Sequence, residues 1–483
     1  MTTQNETVEK VAHPSVEDRV AQGKVAREQA APADHSGWEP ASDRPDPVAL
    51  LEQQNTTREP DLVPVRHGRM MVSPFTFYRG AAKIMAADLK DTPTAGLDTQ
   101  LCGDAHLSNF GLYASPERAL VFDLNDFDET LPGPFEYDVK RMAASFTIAA
   151  RNNGFGQADA RAVTQASVNA YRAAMIDFAA TPTLGIWYAR MSEQDLLRAV
   201  DTASRSAQRS GDKKAAKAAE KGARKVTQKA HSRDSLQALS KLAEQVDGEY
   251  RIVSQPPIVV PLSDVAERLG ISAEDLGERL HEQFRAYRET LQADRRHLLE
   301  QFRFVDAARK VVGVGSVGTG AYIVLLQGRD QQDPLFLQVK EASASVLEDH
   351  LPASRYEQAG ERVVQGQRLM QAASDIFLGW TTGAHQDRQY YWRQLRDMKG
   401  SVVVEGMGPE ALSFYARLCG QTLARAHARS GDPVAIAAYL GKKDRFDRSI
   451  TDFSERYADQ NDRDYQAFTD AIRSGRLPAV EGV

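Results

Sequence analysis

The run "LCGDAHLSNFG", Leu101–Gly111, sets Asp104, His106 and Asn109 on one short stretch closed by glycines. A second run, "VFDLNDFDE" (Val121–Glu129), brings more carboxylates ten residues further on. Val121, Phe122, Leu124 and Phe127 are interleaved with those acids, so part of the run is expected inside the fold. A buried carboxylate needs a cationic partner, a lysine or a metal. Oxygen ligands suit hard ions such as Mg²⁺, with Mn²⁺ as the alternative. No Cys/His cluster of the kind that holds zinc accompanies them.

Bulk properties bound the rest. The chain has 483 residues, long for one hydrophobic core, so two lobes with extensions are expected. Apolar residues make up 42% and the net charge is −6, which argues against nucleic-acid binding by bulk charge. Cys102 and Cys419 form no disulfide framework and suit a reducing cytoplasm. The start carries no apolar signal core, and no run is long enough to span a membrane. A cytoplasmic location is the expectation.

Residues 1–45 are polar, with few large apolar side chains, and read as a flexible arm. From 46 to 200 the pattern is mainly helical, with a hairpin at "FGLYASPERALVFDL" and a strong helix at "EYDVKRMAASFTIAARNNG". The span 201–300 reads as a helical insertion. Within it, 205–233 carries ten Lys/Arg against two acids, an exposed basic helix face with no aromatics for base stacking. Residues 301–405 are β-rich and 406–483 helical. The expected class is a two-lobed α+β enzyme.

Inside the β-rich region, "GVGSVGTG" supplies Gly313, Gly315, Gly318 and Gly320, with Ser316 and Thr319 between them. Its flanks, "RKVV" and "AYIVLLQG", are both strand-like, so the loop joins two strands. A dinucleotide-binding turn would instead lead into a helix. A glycine hairpin of this kind covers nucleotide phosphates in kinases. The next strand, "LFLQVK", ends on Lys340, where a kinase lysine contacts the α and β phosphates. Such a lysine is held by a glutamate of the following helix; Glu357 and Glu361, 17 and 21 residues on, are the candidates.

The first run then fits the same scheme. A kinase catalytic loop has an Asp that takes the substrate hydroxyl proton and an Asn five residues later on Mg²⁺. Asp104 and Asn109 have that spacing. A second metal-binding Asp follows a short hairpin: Asp123, 14 residues after Asn109, or Asp126, 12 residues before Asp138. The pattern Gly-Asp-x-His-x-x-Asn resembles the catalytic loop of the aminoglycoside phosphotransferase and choline kinase branch, and "GPFEYDVKRMA" resembles the helix whose Asp supports that loop. His106 in that pattern supports the loop. The order is inverted, since the catalytic-type loop precedes the glycine loop. A circular permutation reconciles them, because a site needs positions in space and not an order along the chain.

"RMMVSPFTFYRG", "CGDAHLSNFG", "FDLNDFDETLPGP", "VGVGSVGT", "FLQVKEA", "GQRLMQAASDIFLGW" and "LARAHARSGD" together resemble the bacterial family catalogued as domain of unknown function 2252, from about Asp61 to about residue 475. The resemblance implies a protein-kinase-like fold, circularly permuted and with helical insertions, and leaves the substrate open. This chain departs from it at Gly320-Ala321, where a larger basic residue is expected. The expected function is ATP-dependent phosphoryl transfer to an unidentified hydroxyl-bearing small molecule or protein. The alternatives are a nucleotide-binding regulatory module or an AMP transferase. Arg79 and Arg393 are further anion contacts, each more readily explained by a structural salt bridge.

Overall fold

The computed structural model describes residues 12–209, 224, 227–268, 270–383, 388–395 and 398–482. Most of the basic segment 205–233 lies outside the described residues.

The larger, helical part is organised by Phe135–Asn152, Gln157–Ala179, Pro409–Ser430 and Arg445–Arg473. The first of these is buried from Phe135 to Ala150. Its run of Ala143, Ala144, Ser145, Ala149 and Ala150 lets neighbours approach from several sides. Helix Pro409–Ser430 closes on Gln157–Ala179 at Gly420, where a Cβ would lie 2.1 Å from the Ser167 carbonyl oxygen.

The flexible arm expected over 1–45 is corrected from Val16 onward. Val16–Gln29 is a helix, opened by a reciprocal Ser15–Asp18 capping box. It lies along Pro433–Leu440, so close that a Cβ on Gly23 would lie 2.2 Å from the Ala435 oxygen. Ala26 and Ala30 are buried beside it. Small residues make this contact by close backbone approach, so a lack of large apolar side chains was no sign of exposure.

The β-rich part is one six-stranded antiparallel sheet, in the order Gly379–Thr382, Gln389–Gln394, Pro334–Ala342, Ala321–Gln327, Arg303–Lys310, Val259–Pro261. Tyr322 pairs with Arg309 across the glycine-rich connection, and Lys340 pairs with Tyr391 on the other side of its strand. Both faces are apolar and both are covered. Val324, Leu326, Leu337 and Val339 meet helix Ala273–Glu289, where Tyr287 stacks on Trp392 at 4.4 Å. Ile323, Leu325 and Phe336 meet helix Ser235–Leu242. Residues 201–300 are therefore not a purely helical insertion: they contribute the edge strand, a two-stranded ribbon (Ala243–Val246 with Glu249–Ile252) and the helices that cover the sheet.

A four-stranded sheet, Gly400–Ser401, Phe110–Ala114, Leu120–Leu124, Met191–Ser192, sits in the helical part. It contains the expected hairpin, registered Phe110 with Leu124 through Ala114 with Leu120. Asp98–Leu101 pairs with Leu131–Pro134, bringing both acidic runs to one place. Among the described residues, no helix is long and apolar enough to cross a membrane. Both cysteines are free and buried.

Candidate active site

The loop 102–109 leaves strand Asp98–Leu101 and is held from below by helix Phe135–Asn152. The Asp138 carboxylate accepts the backbone N–H groups of Cys102 (2.7 Å) and Gly103 (3.0 Å). His427, from helix Pro409–Ser430, reaches Asp138 at 3.2 Å and the Tyr171 hydroxyl at 2.9 Å. Segments from both ends of the chain thus support the loop. Gly103 has φ +82°, and a Cβ there would meet the Glu129 carbonyl, so glycine is required at the turn.

Asp104 projects from this loop with its side chain 20% exposed. Arg141, one helical turn after Asp138, donates Nε to Asp104 Oδ1 at 2.8 Å. Its guanidinium lies over the Tyr78 ring at 3.8 Å, which fixes its orientation. His106 Nε2 is 3.6 Å from Asp104 Oδ2. Burial pushes the His106 pKa down to about 3, so the ring stays neutral. Asn109 donates Nδ2 to the Asp104 carbonyl at 2.7 Å, which leaves its side-chain oxygen available.

The two candidate aspartates of the second run separate cleanly. Asp123 is buried against Arg425 and accepts the N–H groups of Leu124 (2.8 Å) and Ala372 (3.0 Å). Asp126, past the end of the strand, is 3.4 Å from the Lys340 ammonium. Burial works against the Asp126 charge, but Lys340, Arg393 and Lys399 outweigh it and hold its pKa low.

Lys340 is 2% exposed and is held by a residue that the sequence reading passed over. Asp128 pairs with its ammonium, accepts the Tyr391 hydroxyl at 2.6 Å, and accepts Ser316 Oγ of the glycine loop at 3.2 Å. Burial acts to lower the Lys340 pKa; Asp126 and Asp128 reverse this and raise it. The helix glutamates are elsewhere. Glu357 is exposed, and Glu361 accepts from Gln365 at 3.5 Å; neither pairs with Lys340. That helix instead sends Arg362 to the carbonyls of Asp128 (2.8 Å) and Thr130. The signal for Asp128 was its place two residues after Asp126, with Phe127 between them turned into the core.

The glycine loop is tied down from its outer side. Gly313 and Gly318 have φ of +64° and +87°, the left-handed conformations that favour glycine. Glu59 N–H donates to the Gly318 carbonyl at 2.7 Å, Arg58 to Val317 at 2.5 Å and Arg69 to Gly313 at 2.6 Å. Thr319 Oγ1 turns back to the Ser316 carbonyl at 2.9 Å, and Gly320 N–H donates to Glu341 at 2.7 Å. Gly315 packs near the Arg79 carbonyl. Among the described residues neither Arg79 nor Arg393 has an ion-pair partner; Arg393 donates to Gln338 and the Asn125 carbonyl.

Asp126 thus feels the charges of both Asp104 and Lys340, and Ser316 of the glycine loop reaches Asp128 beside them. No group of three or more His, Cys, Asp and Glu able to hold a metal occurs among the described residues. No curated protein and no solved structure matches the chain. A family model described as an uncharacterized protein conserved in bacteria (DUF2252) matches residues 58–471. With the match covering most of its length, the chain belongs to that family.

Proposed function

We propose that this protein is a kinase-like phosphotransferase that moves a phosphoryl group from ATP to a hydroxyl acceptor, on a two-lobed fold whose chain order is circularly permuted. One contact set carries the reading. The glycine-loop Ser316 and the strand Lys340 meet Asp126 and Asp128, from a run some 190–215 residues earlier in the sequence. The antiparallel order glycine hairpin, lysine strand, helix, two further strands is the small-lobe plan of kinases, and the helix Pro409–Ser430 returns from it to the catalytic loop.

In this reading Lys340 and the glycine-loop N–H groups take the ATP phosphates, with Asp128 in the part that a helix glutamate plays elsewhere. Asp104 orients the acceptor hydroxyl through Oδ2 and takes its proton, Oδ1 being committed to Arg141. Asp126 and the Asn109 side-chain oxygen fit a Mg²⁺ or Mn²⁺ ion: both are oxygen donors, and an ion of this kind completes its shell with phosphate oxygens and water. The ion would neutralise charge on the phosphates. The protein's own share is positioning and a preorganised field.

The test is transfer from labelled ATP to a panel of hydroxyl compounds and proteins. Asp104→Ala should lower transfer by ~10²–10⁴-fold while calorimetric ATP binding persists; full activity in that variant would falsify the role of Asp104. Mass spectrometry of the product reads the group moved. An added nucleotide would replace this reading with AMP transfer, and ATP binding without any transfer would leave a regulatory module.

A further inference from the structure

A cleft lies where the tip of hairpin 110–124, the last turn of helix Ala359–Met370 and strand Gln389–Gln394 converge. It encloses about 720 Å³, part of it open to solvent. Its walls are cationic and incompletely paired. Arg393 donates Nε to Gln338 at 3.0 Å and an Nη to the Asn125 carbonyl at 3.1 Å, neither of them charged. Lys399 lines the same cleft, and its ammonium has no hydrogen bond or ion pair among the described residues. Burial, and next the Arg393 charge, push its pKa down to about 7, against the opposing pull of Asp126.

The facing wall has an unmet acceptor. Gln367 is 4% exposed and donates its amide nitrogen to Gln371 at 3.0 Å. Gln371 in turn donates to the Leu124 carbonyl at 2.7 Å. This chain fixes which way both amides point and leaves Gln367 Oε1 buried with no donor. The carboxylate in the cleft, Asp375, is occupied by the N–H groups of Phe377 (2.8 Å) and Gln394. A buried acceptor without a donor is costly, and Arg393 and Lys399 feel the charge of Asp126 without a carboxylate bonded to either. One ligand can satisfy all of them if it carries negative oxygens and a protonated one.

We propose that this cleft is a binding site for a small phosphate-bearing molecule, with Arg393 and Lys399 on its anionic oxygens and Gln367 accepting from its hydroxyl. Charge-assisted bonds of this kind are the strong ones in a partly buried site. Neither Lys340 nor the glycine loop lines this cleft, and the proposal does not depend on the phosphotransferase reading.

The experiment is calorimetric titration of the full chain with inorganic phosphate, which carries both chemical features. Saturable binding is expected, weakened about tenfold or more in Lys399→Gln, that is ~1.4 kcal/mol, and weakened less in Lys340→Met than in Lys399→Gln. Absence of saturable binding at millimolar phosphate overturns the proposal. So does loss of binding in Lys340→Met with Lys399→Gln unaffected, which would place the phosphate in the catalytic cleft. A footprint on the unaltered protein removes any dependence on the variants' folding: phosphate should protect Lys399 from an amine-acylating reagent, read by mass spectrometry. Equal labelling with and without phosphate also counts against the site.

Discussion

Asp123 and Asp126 stand three residues apart, each beside a cation, and they do opposite work. Asp123 ends a strand with its side chain 2% exposed and pairs with Arg425, itself 6% exposed. Two backbone N–H groups complete that carboxylate. Asp126 has its side chain 30% exposed and shares Lys340 with Asp128. A saturated buried pair has no capacity for a ligand and ties two helical segments to a hairpin. A partly open pair can exchange its lysine for a phosphate or a metal at modest cost. Equal charge in the sequence thus becomes a closed ion pair on one side of a strand end and a partly open one on the other.

The sharpest way to break this comparison is truncation. Asp123→Ala strands the buried Arg425 guanidinium, and a loss of ~3–5 kcal/mol is expected by urea denaturation. Asp126→Ala should change stability by less than about 1 kcal/mol, since its partner keeps Asp128 and its site is partly solvated, while transfer is lost. Equal stability losses in the two variants would erase the distinction.

His106 sharpens the boundary between support and chemistry. Its folded pKa of about 3 lies far below the value of about 6.5 in the unfolded chain. Its contribution is complete above about pH 6.5 and is lost as pH falls, because only the unfolded state takes up the proton. A slope of up to ~1.4 kcal/mol per pH unit is expected between those values, and it should flatten in His106→Gln. An unchanged slope in that variant would assign the pH dependence to other groups.

The smallest expected effect concerns the helix glutamates. Glu361→Gln should leave stability within about 0.5 kcal/mol and transfer unaltered, because Asp128 holds Lys340. Collapse of activity in Glu361→Gln would mean that Lys340 changes partners in the working state, and Asp128 would then be a resting contact.

Much of the layout was legible in local pattern. The hairpin at 110–124, helix Phe135–Asn152, the strands around the glycine run and the lysine strand all follow from alternation, helical spacing and turn residues. Asp138 beneath the 102–103 backbone was signalled by its motif. Three features were not legible. Helix Val16–Gln29 packs through glycine and alanine, which leave no hydrophobic stripe to read. The Lys340 partner was sought on the following helix because local order suggests it, yet it comes from residue 128. The covering of the sheet by parts of 201–300 depends on contacts between segments far apart in the chain.

The sequence by itself determined which groups this protein has and their short spacings: an acid and an amide five apart, a glycine hairpin before a lysine strand, carboxylates among apolar residues. Those depend on chain geometry over a few residues. Only the tertiary structure decided the pairings, putting Asp123 on Arg425, Asp128 on Lys340 and Ser316, and Arg393 beside Lys399 in a cleft whose carboxylate, Asp375, is taken up by backbone N–H groups. Burial and charge compensation are settled by what folding brings alongside, and that sum is not written in any one segment.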